Sequence, residues 1–407
     1  MIERKLFFVV VDGMGDRAVR EGKTTLQLAE KPSLDRMAAQ GSSGTMNTLG
    51  PGIVPGSDTA HLALFGYDPS IYYKGRGALE ALGVGLNLEP GDVAFRCNFA
   101  TVDSNGTIID RRAGRLKDEG PVLASSLKKL TIDGTEVQFT ASTEHRGVLV
   151  LRGSELSSAV SDTDPHSGNQ QPPLKSVALV HTPEAQHTAQ VLNKFIEMSW
   201  KILRENPVNK QRELEGKLPA NIVLTRGAGT YEKIDTLPER YGLRACCIAG
   251  SALYKGVARY VGMEVITVPG ATGRSDTDIL AKAQAAKEAL NSYDFVFVHV
   301  KGTDNASHDG DIEGKIKMIA KIDQLACQLE NEEAFVVITA DHSTPVRLKR
   351  HSADPVPVLV YGKGIRRDTV HSFDEIAASS GCIGRLTGLE LHRICMDLMG
   401  CSHMVGS

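Results

Sequence analysis

The sequence predicts an α/β protein built on a parallel sheet, in which strands and helices alternate along the chain. One observation is the continuous apolar run Leu6–Val11, which is typical of a strand buried on both faces of a parallel sheet. Another is that similar runs recur with helical patterns between them, as in α/β folds. The predicted strands are Leu6–Val11, Asn221–Thr225, Glu264–Val268, Asp294–Val300, Ala334–Thr339 and Val356–Tyr361.

Three helices are predicted between these strands from capping residues and apolar spacing. Thr182 and Pro183 supply a cap and a first-turn proline ahead of a run with helical periodicity. Ser275 precedes an alanine-rich stretch that ends near Asn291. Asp311 precedes apolar residues that repeat at helical spacing. They are Ile312, Ile316, Ile319 and Leu325.

Residues 86–181 have a different pattern, in which short strand signals are separated by turn signals and helical periodicity is absent. The strand signals are Val93–Val102, Gly106–Asp110, Glu136–Thr140 and Gly147–Leu151. We therefore predict a smaller α+β domain at 86–181, inserted into a larger discontinuous domain formed by 1–85 and 182–407. A chain of 407 residues is long enough for two domains.

The composition narrows the class of protein. A formal net charge of −3 and 5% aromatic residues argue against a nucleic-acid partner, because no basic surface is predicted. No apolar stretch approaches the length of a membrane span, so we expect no membrane association. The seven cysteines are scattered, which indicates free thiols in a reducing compartment. We expect a cytoplasmic protein.

Three predicted strands lead into an aspartate. Asp12 follows the first strand in the text V-D-G-M-G-D, and Asp304 and Asp341 follow the strands that end at Val300 and Thr339. One such aspartate is usually a turn residue. Because ligand sites of α/β sheets lie at the carboxyl ends of the strands, three of them together indicate a single site.

A histidine accompanies the second of these aspartates. Asp304 and His308 are four residues apart, so on a helical turn both side chains project from one face and can reach one ion. Asp309 and Asp311 lie close by in the sequence. We interpret them as capping, supporting or solvent-facing residues rather than as ligands.

Two more histidines extend the set. His342 directly follows Asp341 in T-A-D-H-S-T-P, and His351 follows the basic run at 347–350. Carboxylate and imidazole together suit zinc, manganese or cobalt better than calcium. The sequence thus predicts a site for two divalent metal ions, in which His351 completes the set of ligands.

Ser57 is the candidate nucleophile. It lies in P-G-S-D-T-A-H, after a glycine- and proline-rich turn and before an apolar stretch that predicts a helix. A helix amino terminus can bind phosphate, although the commoner role of a serine there is to cap the helix. A serine hydroxyl is a weak nucleophile at neutral pH, and a contact with a divalent cation would increase its reactivity.

With these motifs together, the chain resembles the archaeal-type 2,3-bisphosphoglycerate-independent phosphoglycerate mutases of the alkaline phosphatase-like metalloenzyme superfamily. The resemblance covers nearly the whole chain and includes P-G-S-D-T-A-H-L-A-L-F-G-Y-D-P, D-R-R-A-G-R, S-D-T-D-P-H and H-V-K-G-T-D-N-A-S-H-D-G-D. It implies one ion on Asp304, His308 and His351, and a second on Asp12, Ser57, Asp341 and His342.

The resemblance also implies an activity. The expected reaction is the interconversion of 3-phosphoglycerate and 2-phosphoglycerate in glycolysis and gluconeogenesis, through a phosphoserine at Ser57 and without 2,3-bisphosphoglycerate as a cofactor. The insert would exclude water and hold the glycerate carboxylate, a task suited to arginines that bind carboxylates with two parallel hydrogen bonds. The predicted substrate-binding residues are Arg111, Arg112, Arg115, Arg146, Asp164, His166, Arg274 and Lys301.

Other functions share parts of this pattern. A metal-dependent phosphatase or phosphodiesterase of the same superfamily would have the same seven residues, and so would another phosphomutase, such as one that acts on a pentose phosphate. A non-enzymatic metal protein or effector-binding module predicts the loss of a ligand or of the nucleophile, and none of the seven is lost.

Overall fold

The structure is a computed structural model that describes residues 4–166, 170–331, 333–402, 404 and 406. The strands are β1 Lys5–Val11, β2 Ser42–Met46, β3 Val93–Val102, β4 Ile108–Asp110, β5 Leu130–Ile132, β6 Thr135–Ala141, β7 Arg146–Arg152, β8 Ile222–Thr230, β9 Ala245–Ile248, β10 Glu264–Val265, β11 Phe295–Val300, β12 Ala334–Thr339, β13 Val356–Tyr361 and β14 Gly384–Leu386. The helices are α1 Thr25–Leu28, α2 Pro32–Gln40, α3 Ser57–Leu64, α4 Pro69–Tyr72, α5 Arg76–Gly83, α6 Gly120–Ser125, α7 Pro183–Arg204, α8 Pro207–Leu214, α9 Leu237–Tyr241, α10 Ala252–Tyr260, α11 Ile279–Ala289, α12 Gly302–Asp309, α13 Ile312–Leu329, α14 Glu375–Ala378 and α15 Gly388–Leu398. None of the helices in these described ranges is both long and apolar enough to cross a membrane.

The chain forms two compact units. The first consists of Met1–Tyr73 and Ile234–Ser407, and the second of Lys74–Lys233. The second unit is wider than the insert at 86–181 that the sequence predicts. It includes α5 and α7, because α5 packs on β3 and β8 while α7 packs on β8.

The first unit contains an eight-stranded sheet in the order β10-β9-β11-β1-β12-β13-β2-β14. The pairs from β10 to β12 are parallel, and β1 lies between β11 and β12 with Val11 opposite Val300 and Val10 opposite Thr339. Every residue of β1 from Leu6 to Val11 is fully buried, as expected for a central strand with covered faces. The α/β fold class is therefore confirmed, and the parallel strands end together at one edge.

The predicted strands of this sheet match with three corrections. Val356–Tyr361 is a strand, but it pairs with β12 in the antiparallel direction. The predicted parallel strand Asn221–Thr225 belongs to the other unit, where β8 pairs antiparallel with β3. A short apolar run has no feature that distinguishes these two environments. The predicted strand Glu264–Val268 is also shorter, because only Glu264–Val265 pairs with β9.

The second unit is an antiparallel sheet of six strands. Its path is β4-β3-β7-β6-β5, with β8 also paired to β3. One face of β3 places Phe95, Cys97 and Phe99 in a core that includes residues of α7, such as Phe195. The opposite face carries Ala94, which packs in a smaller cluster with Ala81 of α5. The two faces follow from the alternation of side chains along a strand.

Candidate active site

The predicted ligands lie where the parallel strands of the first unit end. Asp12 directly follows β1, and its backbone amide donates to Val300 O of β11 at 2.9 Å. Asp304 and His308 lie on α12, which begins two residues after β11, as their spacing predicts. Asp341 and His342 follow β12 after one residue. These side chains meet at one edge because their strands are adjacent and parallel.

The first group surrounds the imidazole of His342. Its Nε2 lies 3.5 Å from Asp12 Oδ1, 3.2 Å from Asp341 Oδ2 and 3.2 Å from Ser57 Oγ. Ser57 is the first residue of α3, and Gly56 takes the cap position. The serine hydroxyl is thus not used as a helix cap and faces His342 instead.

The second group surrounds the carboxylate of Asp304. Its Oδ1 lies 3.3 Å from His308 Nε2 and 3.7 Å from His351 Nε2. The ring of His351 stacks on that of His342 with centroids 3.6 Å apart. His342 therefore contacts both groups, and ligand atoms of Asp304, His342 and His351 lie within 4.8 Å of one another. The resemblance assigns His342 to the other ion.

Three of these histidines are held in the same way, by the nitrogen that faces away from the cluster. His308 Nδ1 lies 2.9 Å from Lys349 O, and His351 Nδ1 lies 2.9 Å from Pro55 O. His342 Nδ1 lies 3.0 Å from the Thr344 hydroxyl, which itself donates to Asp304 Oδ1. With the proton of the neutral ring on Nδ1, each imidazole would present the Nε2 lone pair to the cluster, as metal ligands do.

Two unsatisfied carboxylate oxygens test whether this cluster fits a metal. Asp12 Oδ1 and Asp341 Oδ2 are buried and accept no hydrogen bond, although His342 Nε2 is in contact with both. A buried oxygen without a partner costs about 1–3 kcal/mol. Ligand atoms of Asp12, Asp341 and His342 also lie within 4.8 Å of one another. The donors and their spacing fit a divalent cation such as manganese, cobalt or zinc.

Lys301 places a positive charge between the two groups. Its ammonium donates to Asp12 Oδ2 at 2.9 Å and to Asp304 Oδ2 at 2.8 Å, and it also contacts the Tyr254 hydroxyl. Burial raises the pKa of the Asp12 carboxyl, but Lys301 and His299 outweigh this effect and hold that pKa well below its usual range. Burial and Asp12 raise the pKa of Tyr254 well above its usual value, so its hydroxyl stays protonated and donates to Asp12.

The structure adds residues to the site that sequence reasoning missed. His299 Nε2 lies 3.4 Å from Asp12 Oδ2, and its ring stacks on Tyr254 at 3.5 Å. His61 contacts Ser57 O through Nδ1 at 2.7 Å, so it supports the first turn of α3. Burial lowers the pKa of His299 to about 4 and also lowers that of His61, so both rings are neutral. His61 follows Ser57 at helical spacing, and this spacing could have indicated that His61 belongs to the site. His299 lies inside an apolar strand, where no sequence pattern indicates a site residue.

A buried lysine supports the loops that carry the ligands. Lys315 of α13 is fully buried and donates to Gly15 O at 3.1 Å and to Thr344 O at 3.0 Å. Its ammonium also lies 3.1 Å from Asp16 Oδ2. Gly15 follows Asp12 by three residues and Thr344 follows His342 by two. Lys315 thus joins the loop after β1 to the loop after β12.

We expect Lys315→Met to weaken both folding and metal binding. Removal of one partner of a buried ion pair leaves the other uncompensated, which typically costs about 3–5 kcal/mol. Outer supports of a metal site typically contribute about 10- to 100-fold in affinity. Denaturant unfolding and calorimetric Mn²⁺ titration measure the two effects. Lys317→Met is the matched control, because Lys317 is exposed on the same helix and should change neither quantity. Unchanged Mn²⁺ affinity in folded Lys315→Met would contradict this role.

The predicted substrate-binding residues are divided between the two units. In the first unit, Lys301 lies among the candidate metal ligands, and Arg274 is exposed. In the second unit Arg111 is committed to Asp164 by two hydrogen bonds of 2.7 and 2.8 Å. His166 is 54% exposed, and its Nε2 lies 2.7 Å from Asp162 Oδ2. The other predicted arginines of that unit are exposed, namely Arg112, Arg115 and Arg146.

The fold and the site define an α/β enzyme with carboxylate and histidine side chains placed to hold divalent metal. The model of the family described as 2,3-bisphosphoglycerate-independent phosphoglycerate mutase matches residues 38–209. The chain is 47% identical to the mutase of that name from Methanopyrus kandleri, over 98% of this chain and 97% of that one. It is 48% identical to the one from Ignicoccus hospitalis, over 98% of each chain. The chain belongs to the 2,3-bisphosphoglycerate-independent phosphoglycerate mutases, which are isomerases.

Two solved structures have the same fold over essentially the full chain. A protein from Pyrococcus horikoshii superimposes with a TM-score of 0.86 at 36% identity and covers 100% of both chains. The cofactor-independent phosphoglycerate mutase from Thermoplasma acidophilum gives a TM-score of 0.73 at 36% identity, with 98% of this chain and 100% of that one covered.

Proposed function

We propose that this protein interconverts 3-phosphoglycerate and 2-phosphoglycerate through a phosphoserine at Ser57, with two divalent ions bound by the seven candidate ligands. The observation that carries the proposal is the contact of the Ser57 hydroxyl with His342, whose Nε2 also contacts Asp12 and Asp341. Phosphoryl transfer through a serine requires that the serine hydroxyl lie beside side chains that can bind a divalent metal ion.

The two halves of the reaction balance without a co-reactant. Ser57 Oγ attacks phosphorus, the bond from phosphorus to the substrate oxygen breaks, and the serine proton goes to the hydroxyl formed on glycerate. The other hydroxyl of the same glycerate then attacks phosphoserine, and a proton returns to Ser57. Divalent ions, when bound, neutralise phosphate charge and stabilise the attacking and leaving oxygens.

The chain's own residues orient the nucleophile. The carbonyl of Ser57 accepts from His61 Nδ1, which holds the first turn of α3. The three histidine rings are held through Nδ1, so their Nε2 atoms keep their positions as the reaction proceeds. Lys301 offers an ammonium beside Asp12 and Asp304, where a transferred phosphoryl group would add negative charge.

The second unit has the complementary task in this proposal. It would exclude water, because a phosphoserine open to water is hydrolysed and the protein then acts as a phosphatase. In this proposal the substrate of the protein is a small anionic molecule. The protein acts in the cytoplasm, where glycolysis and gluconeogenesis take place.

The products formed from 3-phosphoglycerate test the proposal. We expect 2-phosphoglycerate to form in the presence of Mn²⁺, Co²⁺ or Zn²⁺ without added 2,3-bisphosphoglycerate, as followed by phosphorus NMR. Because glycerate stays bound between the two half-reactions, added isotopically labelled glycerate should not enter the product. Release of inorganic phosphate as the main product would instead favour a phosphatase. Label in the product would contradict the retention of glycerate.

A further inference from the structure

The hydroxyl of Thr344 contacts both groups of candidate metal ligands. It donates to Asp304 Oδ1 at 3.0 Å and lies 3.0 Å from His342 Nδ1. Asp304 is the centre of one group, and His342 is the centre of the other. Thr344 is fully buried, so bulk water does not compete for either contact. A single side chain that binds no metal itself therefore supports a ligand in each group.

The direction of the two hydrogen bonds follows from the number of protons available. A hydroxyl carries one proton and can also accept, whereas an ionised carboxylate can only accept. The Thr344 proton therefore points to Asp304, and the other contact requires His342 Nδ1 to be the donor. With the proton on Nδ1, a neutral His342 ring has its lone pair on Nε2, the atom that faces Asp12 and Asp341.

The other tautomer of His342 would compete with a metal ion. Asp12 Oδ1 and Asp341 Oδ2 are buried without a hydrogen bond, at 3.5 and 3.2 Å from His342 Nε2. A proton on Nε2 would offer these oxygens a donor, so they favour the tautomer that cannot bind a cation at Nε2. Thr344 opposes this preference, because its hydroxyl requires the proton on Nδ1.

The backbone on each side of the hydroxyl fixes its position. The amide of Thr344 donates to Gly15 O at 3.1 Å, and its carbonyl accepts from Lys315 Nζ at 3.0 Å. Gly13 has a φ of +65°, and a side-chain carbon there would lie 2.6 Å from Thr344 Oγ1 and 2.9 Å from Asp304 Cβ. Glycine at this position therefore allows the hydroxyl and the carboxylate to meet.

We infer that Thr344 is a positioning residue for both metal ions. Its hydroxyl keeps the His342 lone pair on Nε2 and fixes the orientation of the Asp304 carboxylate. The inference rests on the proposed function in one respect, namely that the seven candidate ligands bind two divalent ions. Thr344 acts through His342 and Asp304, as the outer supports of metal ligands do.

Stepwise calorimetric titration of the full-length protein with Mn²⁺ alone tests this inference. Thr344→Val keeps the shape of the side chain but loses the hydroxyl, and we expect it to weaken each of the two Mn²⁺ binding steps about 10-fold or more. Thr344→Ser keeps the hydroxyl, so both affinities should stay within about threefold of wild type. Rescue by serine distinguishes the hydrogen bonds from the packing of the threonine methyl group.

A buried threonine of the second unit provides the matched control. Thr188 of α7 is fully buried, and its hydroxyl donates to Glu184 O at 2.8 Å. Thr188→Val should lower the free energy of unfolding and leave both Mn²⁺ affinities unchanged. Thermal unfolding shows whether Thr344→Val folds. If it does not, Thr344→Ala replaces it in the comparison, because alanine removes the hydroxyl without placing a methyl group against Asp304.

The outcomes separate this inference from the proposed function. Unchanged Mn²⁺ affinity at both steps in the variant without the hydroxyl would overturn the role of Thr344. A loss confined to one step would also overturn it, and so would an equal loss in the valine and serine variants. A wild-type protein that binds two Mn²⁺ but forms neither phosphoserine nor 2-phosphoglycerate would overturn the proposed reaction and leave this inference standing. A wild-type protein that binds fewer than two Mn²⁺ would overturn both.

Discussion

Ser57→Ala is expected to abolish mutase turnover, with a loss on the order of 10⁴-fold or more, and to prevent any covalent phosphoenzyme. The reason is that no other hydroxyl contacts the Nε2 of His342, among the residues that the structure describes. Steady-state conversion of 3-phosphoglycerate measures the first effect. Acid quenching followed by mass spectrometry of the peptide with residue 57 measures the second.

A matched serine provides the control for this experiment. Ser379 is exposed, and its hydroxyl donates to Ile376 O of the preceding helical turn. Ser379→Ala should therefore keep wild-type turnover and the phosphopeptide. Retention of turnover and of a trapped phosphoenzyme in Ser57→Ala would contradict the proposed nucleophile.

Asp304→Asn is expected to lower Mn²⁺ affinity by at least about 100-fold and to reduce turnover by a similar or larger factor. The amide replaces a charged oxygen that contacts His308 and His351 and that accepts from Thr344. Nearby Lys301 also loses one of its two carboxylate partners. Isothermal titration with Mn²⁺ gives the affinity, and the coupled mutase assay gives the rate.

Asp309 is the control on the same helix. It ends α12, is exposed, and was interpreted from the sequence as a residue that does not bind metal. Asp309→Asn should leave Mn²⁺ affinity and turnover near wild type. If the two variants lost Mn²⁺ affinity to the same degree, or if full activity survived exhaustive chelation, the dinuclear site would be rejected.

The sequence predicted the central part of the first unit well, because its strands are uniformly apolar. The ranges Ala334–Thr339 and Val356–Tyr361 match the structure residue for residue. The error at Asn221–Thr225 has a physical cause. The residues Ile222–Thr225 of β8 are buried because α7 covers them, as helices cover the strands of a parallel sheet. The local apolar pattern therefore does not reveal which sheet β8 joins.

Prediction of the candidate site depended on how far each residue's partners lie in the sequence. Asp304 and His308 were predicted as a pair from local helical spacing. The contact of Lys301 with Asp12 joins residues 289 apart, and no local pattern indicates it.

The order of the strands in the first unit has a consequence for biosynthesis. Its central strand β1 is made before both of its neighbours, β11 and β12, which follow about three hundred residues later in the chain. The second unit is a continuous segment and can fold while the rest is still being translated. The apolar strand β1 must therefore remain without its sheet neighbours until β11 and β12 have been made. Asp12 and Ser57 are likewise synthesised long before Asp304, Asp341 and His351. A chain that stops before residue 300 therefore lacks these three candidate metal ligands.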